Sequence, residues 1–190
     1  MPEPEILKFE SREKWEDWLE KNHRQPDGVW LKYAKKGSGI ETINHSDAID
    51  VALCYGWIDS QGKGLDEKFY LVKFTPRRPK SVWSKINVER VGRLIAEGRM
   101  KPAGLAQVEA AQADGRWERA YAGQAAAEIP EDFKAALAKN KKAAEFFKTL
   151  TKANKYAFIW RLHHVKRPET RARNIEKYIE MLSDGEKFHQ

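Results

Sequence analysis

The chain changes its periodicity at one place. Phe69-Tyr70-Leu71-Val72-Lys73-Phe74-Thr75 is the strongest strand signal in the sequence, and Pro76 ends it. Pro76 and Pro79 bracket Arg77 and Arg78, and a run with two prolines so close cannot be a helix interior or the middle of a sheet. Beyond this elbow no segment alternates with period two. From Pro130 onward the apolar residues recur only at helical spacing, with Phe133, Leu137, Ala144, Phe147 and Leu150 on one stripe and Ile175, Tyr178, Ile179 and Leu182 on another. Before the elbow, Val29-Trp30-Leu31-Lys32-Tyr33-Ala34 reads as a second strand after the turn Gln25-Pro26-Asp27-Gly28. Trp57-Ile58-Asp59 leads from a helix into a glycine-punctuated stretch, Ser60 to Gly64.

The expected fold class is therefore α+β. A small antiparallel sheet of two or three strands with flanking helices occupies the N-terminal half, and the C-terminal half is mostly helical. Two domains are expected, an α+β domain over 1–122 and a helical domain or extension over 123–190, with a hinge at 123–130. The helix signals are local. Ser11 caps a first helix carrying Trp15, Trp18 and Leu19; Ser46, or alternatively Asn44, caps a second that Gly56 closes. Ser81 is expected to cap a long helix through about Arg99, and Pro102 opens one through Ala113. Asn140 breaks the later helices, Thr151 or Asn154 starts another, and Pro168 takes the first turn of the last.

Composition excludes several classes. Aromatic residues make up 11% and hydrophobic residues 41%, too much for a disordered chain. One cysteine allows neither an internal disulfide nor a cysteine-rich zinc site. No uncharged apolar run approaches the roughly 20 residues that span a bilayer. The acidic start lacks the apolar core of a signal peptide, so a cytoplasmic location is expected.

Charge is unevenly spread. The net charge is +7, yet residues 73–101 alone hold nine basic and two acidic residues, and residues 141–190 hold twelve and six. Such clusters draw anions, or merely solvate helix faces. The candidate site lies between Trp57 and Asn87. Arg77 and Arg78 offer forked donors in a stiff turn, directly before a helix whose first amides lack partners. Ser81, Ser84 and Lys85 add donors and charge, Thr75 and Asn87 flank them, Trp57 or Trp83 walls the pocket, and Asp59 pairs with one of the arginines. These residues predict binding of a small anion bearing phosphate or carboxylate. The same serines are also ordinary helix-start residues. An acidic protein or nucleic acid is the alternative partner of the basic helical surfaces, although no nucleic-acid motif is present. A hydrolase-like enzyme with Asp59 as general base is the other alternative. Cys54 reads as a core thiol, and the adjacent His163 and His164 point to different faces, so no metal site is expected. No cofactor motif is found: Gly37-Ser38-Gly39 and Gly62-Lys63-Gly64 do not continue into a nucleotide-binding loop. Trp160 with Tyr156 and His164 forms a helical stripe expected in the core. Arg171 and Arg173 lie on different faces, and one is expected to dock against the acidic first helix.

The stretches Ala52-Leu53-Cys54-Tyr55-Gly56-Trp57-Ile58-Asp59 and Phe74-Thr75-Pro76-Arg77-Arg78-Pro79-Lys80-Ser81-Val82-Trp83-Ser84-Lys85-Ile86-Asn87 resemble the bacterial YdeI/OmpD-associated family. Gly98-Arg99-Met100, Pro102-Ala103-Gly104 and the basic segment from Lys166 to Ile175 are similar too. The resemblance implies a bacteriocin-protection or outer-membrane-protein-associated label, with no reaction and no catalytic set, and fits a stress or resistance role.

Overall fold

The computed structural model describes residues 4–123, 126–165 and 167–189. Its contacts divide the chain into two compact units, Met1–Ala120 and Tyr121–Gln190. Gln124 and Ala125 of the expected hinge, and Lys166 of the second basic segment, lie outside the described residues.

The first unit runs β1 (Ile6–Leu7), α1 (Arg12–Asn22), β2 (Val29–Ala34), α2 (His45–Cys54), β3 (Trp57–Gly64), β4 (Phe69–Pro76), α3 (Lys85–Ala96) and α4 (Pro102–Ala113). The strands form one sheet in the order β1-β2-β4-β3. Both β2 and β3 pair antiparallel with β4, while β1 pairs parallel with β2. The sheet is thus mixed. At two residues, β1 is too short to carry any periodicity. The glycine-punctuated stretch after Asp59 continues β3, with an irregularity between Asp59 and Gly62.

Strict alternation in β2 buries Val29, Leu31 and Tyr33. Register places Phe74, Val72 and Tyr70 of β4 opposite them, and Asp59 of β3 opposite Phe74. Trp15 and Leu19 of α1 and Ala48, Val51 and Ala52 of α2 complete this core. Two of its tryptophans have their ring N–H groups paired: Trp15 Nε1 donates to the Ala48 carbonyl at 3.1 Å and Trp57 Nε1 to that of His23 at 2.7 Å. Ser11 and Asn44 cap α1 and α2. Gly56 leaves α2 at φ +75°, where a Cβ would also lie 2.9 Å from the Ala103 carbonyl. Gly104 of α4 comes closer still to α2: a Cβ there would lie 2.2 Å from the Cys54 carbonyl oxygen.

The long helix begins later than Ser81. Ser84 is its cap, its Oγ accepting from the Asn87 amide at 3.3 Å, and Lys85 is its first residue. Ser81 instead closes a turn with Arg78, accepting the Arg78 amide on its hydroxyl at 3.0 Å and donating its own amide to the Arg78 carbonyl at 2.9 Å. The chain stays non-helical through Trp83 because that side chain is carried into the core. The helix stops at Ala96, with Gly98 at φ +67° and the Arg99 amide folded back to the Leu94 carbonyl.

The second unit is helical: α5 (Glu131–Lys139), α6 (Lys141–Thr149), α7 (Lys152–His163) and α8 (Pro168–Ser183). Asn140 and Thr151 cap α6 and α7. Phe133, Phe147, Phe158, Leu162, Tyr178 and Leu182 form its core. Arg171 does not dock on the acidic first helix: it forks onto Asp132 of α5 and donates to the Leu162 carbonyl, within its own unit. Arg173 is exposed.

Candidate functional site

The elbow between β4 and α3 is held from inside. The Arg77 amide donates to the Gly56 carbonyl at 2.9 Å. The Arg77 guanidinium lies 3.5 Å over the ring of Trp83, and its Nη1 donates to the Val82 carbonyl at 3.2 Å. Only 6% of Arg77 is exposed. Trp83 in turn meets Trp117 edge to face, with centroids 4.9 Å apart. From the far side Arg116 donates Nη1 to the Ser81 carbonyl at 2.9 Å while its Nε grips Asp114. A guanidinium held over an indole inside a protein is a strong fixed contact.

The two arginines therefore part company. Arg77 packs inward and Arg78 faces solvent, so they do not form one forked clamp. Ser84 is buried as a cap, and the Asn87 amide is used by it. Trp57 is fully buried beneath α1, and Trp83 is buried in the core. Thr75 sits half-buried in β4 opposite Ile58. Lys85 is exposed at the first position of α3.

Ion pairs redistribute the charge of residues 73–101. Asp50 of α2 takes Arg90 at 2.7 Å and Arg93 at 2.5 Å. Burial pushes its carboxyl up, but the hydrogen bonds from Arg93 and Arg90 outweigh this and hold it below the usual carboxylate range. Arg93 and Arg99 also meet Glu97, and Lys101 meets Glu16. Among the described residues no carboxylate pairs with Arg78, Lys80 or Lys85. What remains of the cationic excess around α3 collects at its N-terminal end, where the helix dipole is also positive.

Asp59 faces a histidine. Its Oδ2 lies 3.5 Å from Nε2 of His45, the first residue of α2. That distance permits electrostatic pairing, but the geometry is not that of a hydrogen bond. In such an arrangement a carboxylate orients an imidazole. The His45 ring meets Tyr33 edge to face at 5.7 Å, and Tyr33 stacks on Tyr70 at 5.2 Å. Burial above all, then Tyr70 and Asp59, push the Tyr33 hydroxyl far above its ordinary value, so it stays a neutral donor. Tyr33, Tyr70 and His45 line a groove of about 800 Å³ under the loop from Lys35 to Asn44. Sequence reasoning missed these three residues. The alternation of β2 marked Tyr33 as inward, but nothing local showed that β4 and the start of α2 converge on it.

Elsewhere, Cys54 is a core thiol whose titration burial pushes up to about 11. No group of histidine, cysteine or carboxylate side chains among the described residues is placed to hold a metal ion. Trp160 is 38% exposed, so its stripe is not core. No helix among the described residues is long and apolar enough to cross a membrane.

Fold and charge define an α+β protein: a mixed four-stranded sheet under helices, followed by a four-helix unit. Residues 126–185 match the family described as bacteriocin-protection, YdeI or OmpD-associated, and residues 7–107 match a domain of unknown function (DUF8412). The chain belongs to the DUF8412 family through its first unit, and its helical unit is similar to the YdeI/OmpD-associated family. The elbow motif lies within the 7–107 match and the Arg167–Ile175 segment within the 126–185 match. No curated protein and no solved structure matches the chain.

Proposed function

We propose that the first unit binds a small anionic ligand, bearing phosphate or carboxylate, at the N-terminal end of α3. One observation carries this reading. Arg90 and Arg93 of α3, and Arg99 after it, each meet a carboxylate, whereas Arg78, Lys80 and Lys85 at the elbow meet none among the described residues. Arg77 acts as a positioning residue: its stack on Trp83 stiffens the turn from which Arg78 projects. The family's description supports a protective role in bacteria, and a single unpaired cysteine suits the reducing cytoplasm.

Calorimetric titration with inorganic phosphate and with citrate tests the site. An Arg78→Ala/Lys85→Ala double variant loses most of the affinity, and the wild-type affinity falls with added salt. Equal binding by both proteins removes the reading.

A second reading rests on the other face of the sheet. There Lys63 lies 4.4 Å over Trp30, and Lys32 lies 4.0 Å over Phe69. Lysines interleaved with aromatic rings suit a single-stranded nucleic acid. Tight oligonucleotide binding that Lys32→Ala/Lys63→Ala abolishes, with phosphate binding absent, selects it.

A further inference from the structure

The groove over Tyr33 has a different character from the elbow. Tyr33 is 1% exposed, and its hydroxyl oxygen has no hydrogen-bond partner among the described residues. Nε2 of His45 beside it likewise lacks a hydrogen bond. A buried hydroxyl left unpaired costs stability, and folds seldom retain one without a use. Here both residues line a groove of about 800 Å³, within the range of small-molecule sites. Stacked Tyr33 and Tyr70 add flat apolar surface to it.

Charge decides the ligand class. The rim carries Lys35 and Lys36 but also Glu10 and Glu41. Of these, Glu10 is paired with Lys14 and Lys8, and Lys35 donates to the Asp66 carbonyl at 2.8 Å. The floor lies near the Asp59 carboxylate, which pairs with His45 and acts on Tyr33. An anionic oxygen placed at the Tyr33 hydroxyl would meet that carboxylate's field at close range. A neutral acceptor would not.

We propose that this groove is a second ligand site, taking a neutral, planar carbonyl compound such as an aromatic carboxamide, with its carbonyl oxygen accepting from the Tyr33 hydroxyl and its ring against Tyr70. Asp59 and His45 set the polarity of the floor.

Benzamide and benzoate form a matched probe pair, equal in shape and different in charge. Their titration is followed through backbone amide shifts in NMR spectra of the full chain. Benzamide binds saturably, moves amides from Tyr33 to His45 and around Tyr70, and binds at least tenfold more tightly than benzoate. Tyr33→Phe weakens benzamide about tenfold, the loss of one hydrogen bond, while its unfolding midpoint stays level or rises because an unpaired hydroxyl is gone. Asp59→Asn narrows the gap between the two probes. Arg78→Ala/Lys85→Ala leaves benzamide binding untouched, which separates this site from the elbow. Absence of saturable benzamide binding, benzoate binding as well as benzamide, or an unchanged affinity in Tyr33→Phe overturns the proposal. So does marked destabilisation of Tyr33→Phe, since the hydroxyl would then have a structural partner.

Discussion

Replacing Asp50 by alanine tests whether the clamp between α2 and α3 is a structural element. Asp50 is 6% exposed and accepts from Arg90 at 2.7 Å and Arg93 at 2.5 Å. A hydrogen bond to a charged group is worth about 1.5–3 kcal/mol. The Arg93 side chain is 47% exposed and keeps Glu97, so solvent reduces its share to about 1 kcal/mol or less. Arg90 is less exposed but keeps the Ser46 hydroxyl and carbonyl. The expected loss is about 2.5 kcal/mol, which lowers the urea midpoint by roughly 1.7 M for a slope near 1.5 kcal/mol per M. Tryptophan fluorescence is the right probe, because six of the seven tryptophans lie in the first unit and only Trp160 in the second. The pH dependence supplies a second check. The folded carboxyl is held low, so its contribution is full above the unfolded value of about 3.9 and disappears as pH falls through the lower folded value. Wild type and variant should differ by a constant amount from about pH 5 to 8 and converge in acid. A loss under about 0.5 kcal/mol at neutral pH, or a gap that widens in acid, would refute the reasoning.

Two further outcomes follow from packing. Gly104→Ala forces α4 off α2, since the new Cβ meets the Cys54 and Leu53 carbonyls at 2.2 and 2.7 Å, and thermal unfolding should show a loss of about 2–3 kcal/mol. Gly92→Ala in α3 meets nothing within 4 Å and should stabilise by about 0.5–1 kcal/mol. Cys54, 2% exposed and with its thiol pushed up to about 11, should resist a disulfide-exchange reagent in the native protein and react at the rate of unfolding in urea.

Local chemistry was readable from residue order. Caps at Ser11, Asn44, Asn140 and Thr151, the helix-opening prolines 102 and 168 and the closing glycines 56 and 185 appear where short-range rules place them. Each depends on a side chain and an amide only a few residues apart. The same rules misplaced the start of α3, because Ser81 and Ser84 are equally good caps. What distinguishes them is Trp83, whose burial against Arg77 and Trp117 keeps the chain extended until Ser84.

Net charge misled in the same way. Nine basic residues in 73–101 look like one cationic patch, yet Asp50, distant in sequence, removes two of them from it. Tyr33, His45, Asp59 and Tyr70 show the limit most plainly. They come from β2, α2, β3 and β4, and no spacing in the sequence relates them. Periodicity and capping are set by neighbours along the chain, so residue order alone determined the α+β class, the proline elbow and most helix ends. Strand register and helix packing join residues far apart in the chain, so only the folded molecule decided that Arg77 turns inward, that Asp59 meets His45 and that a tyrosine with a buried, unpaired hydroxyl lines a groove.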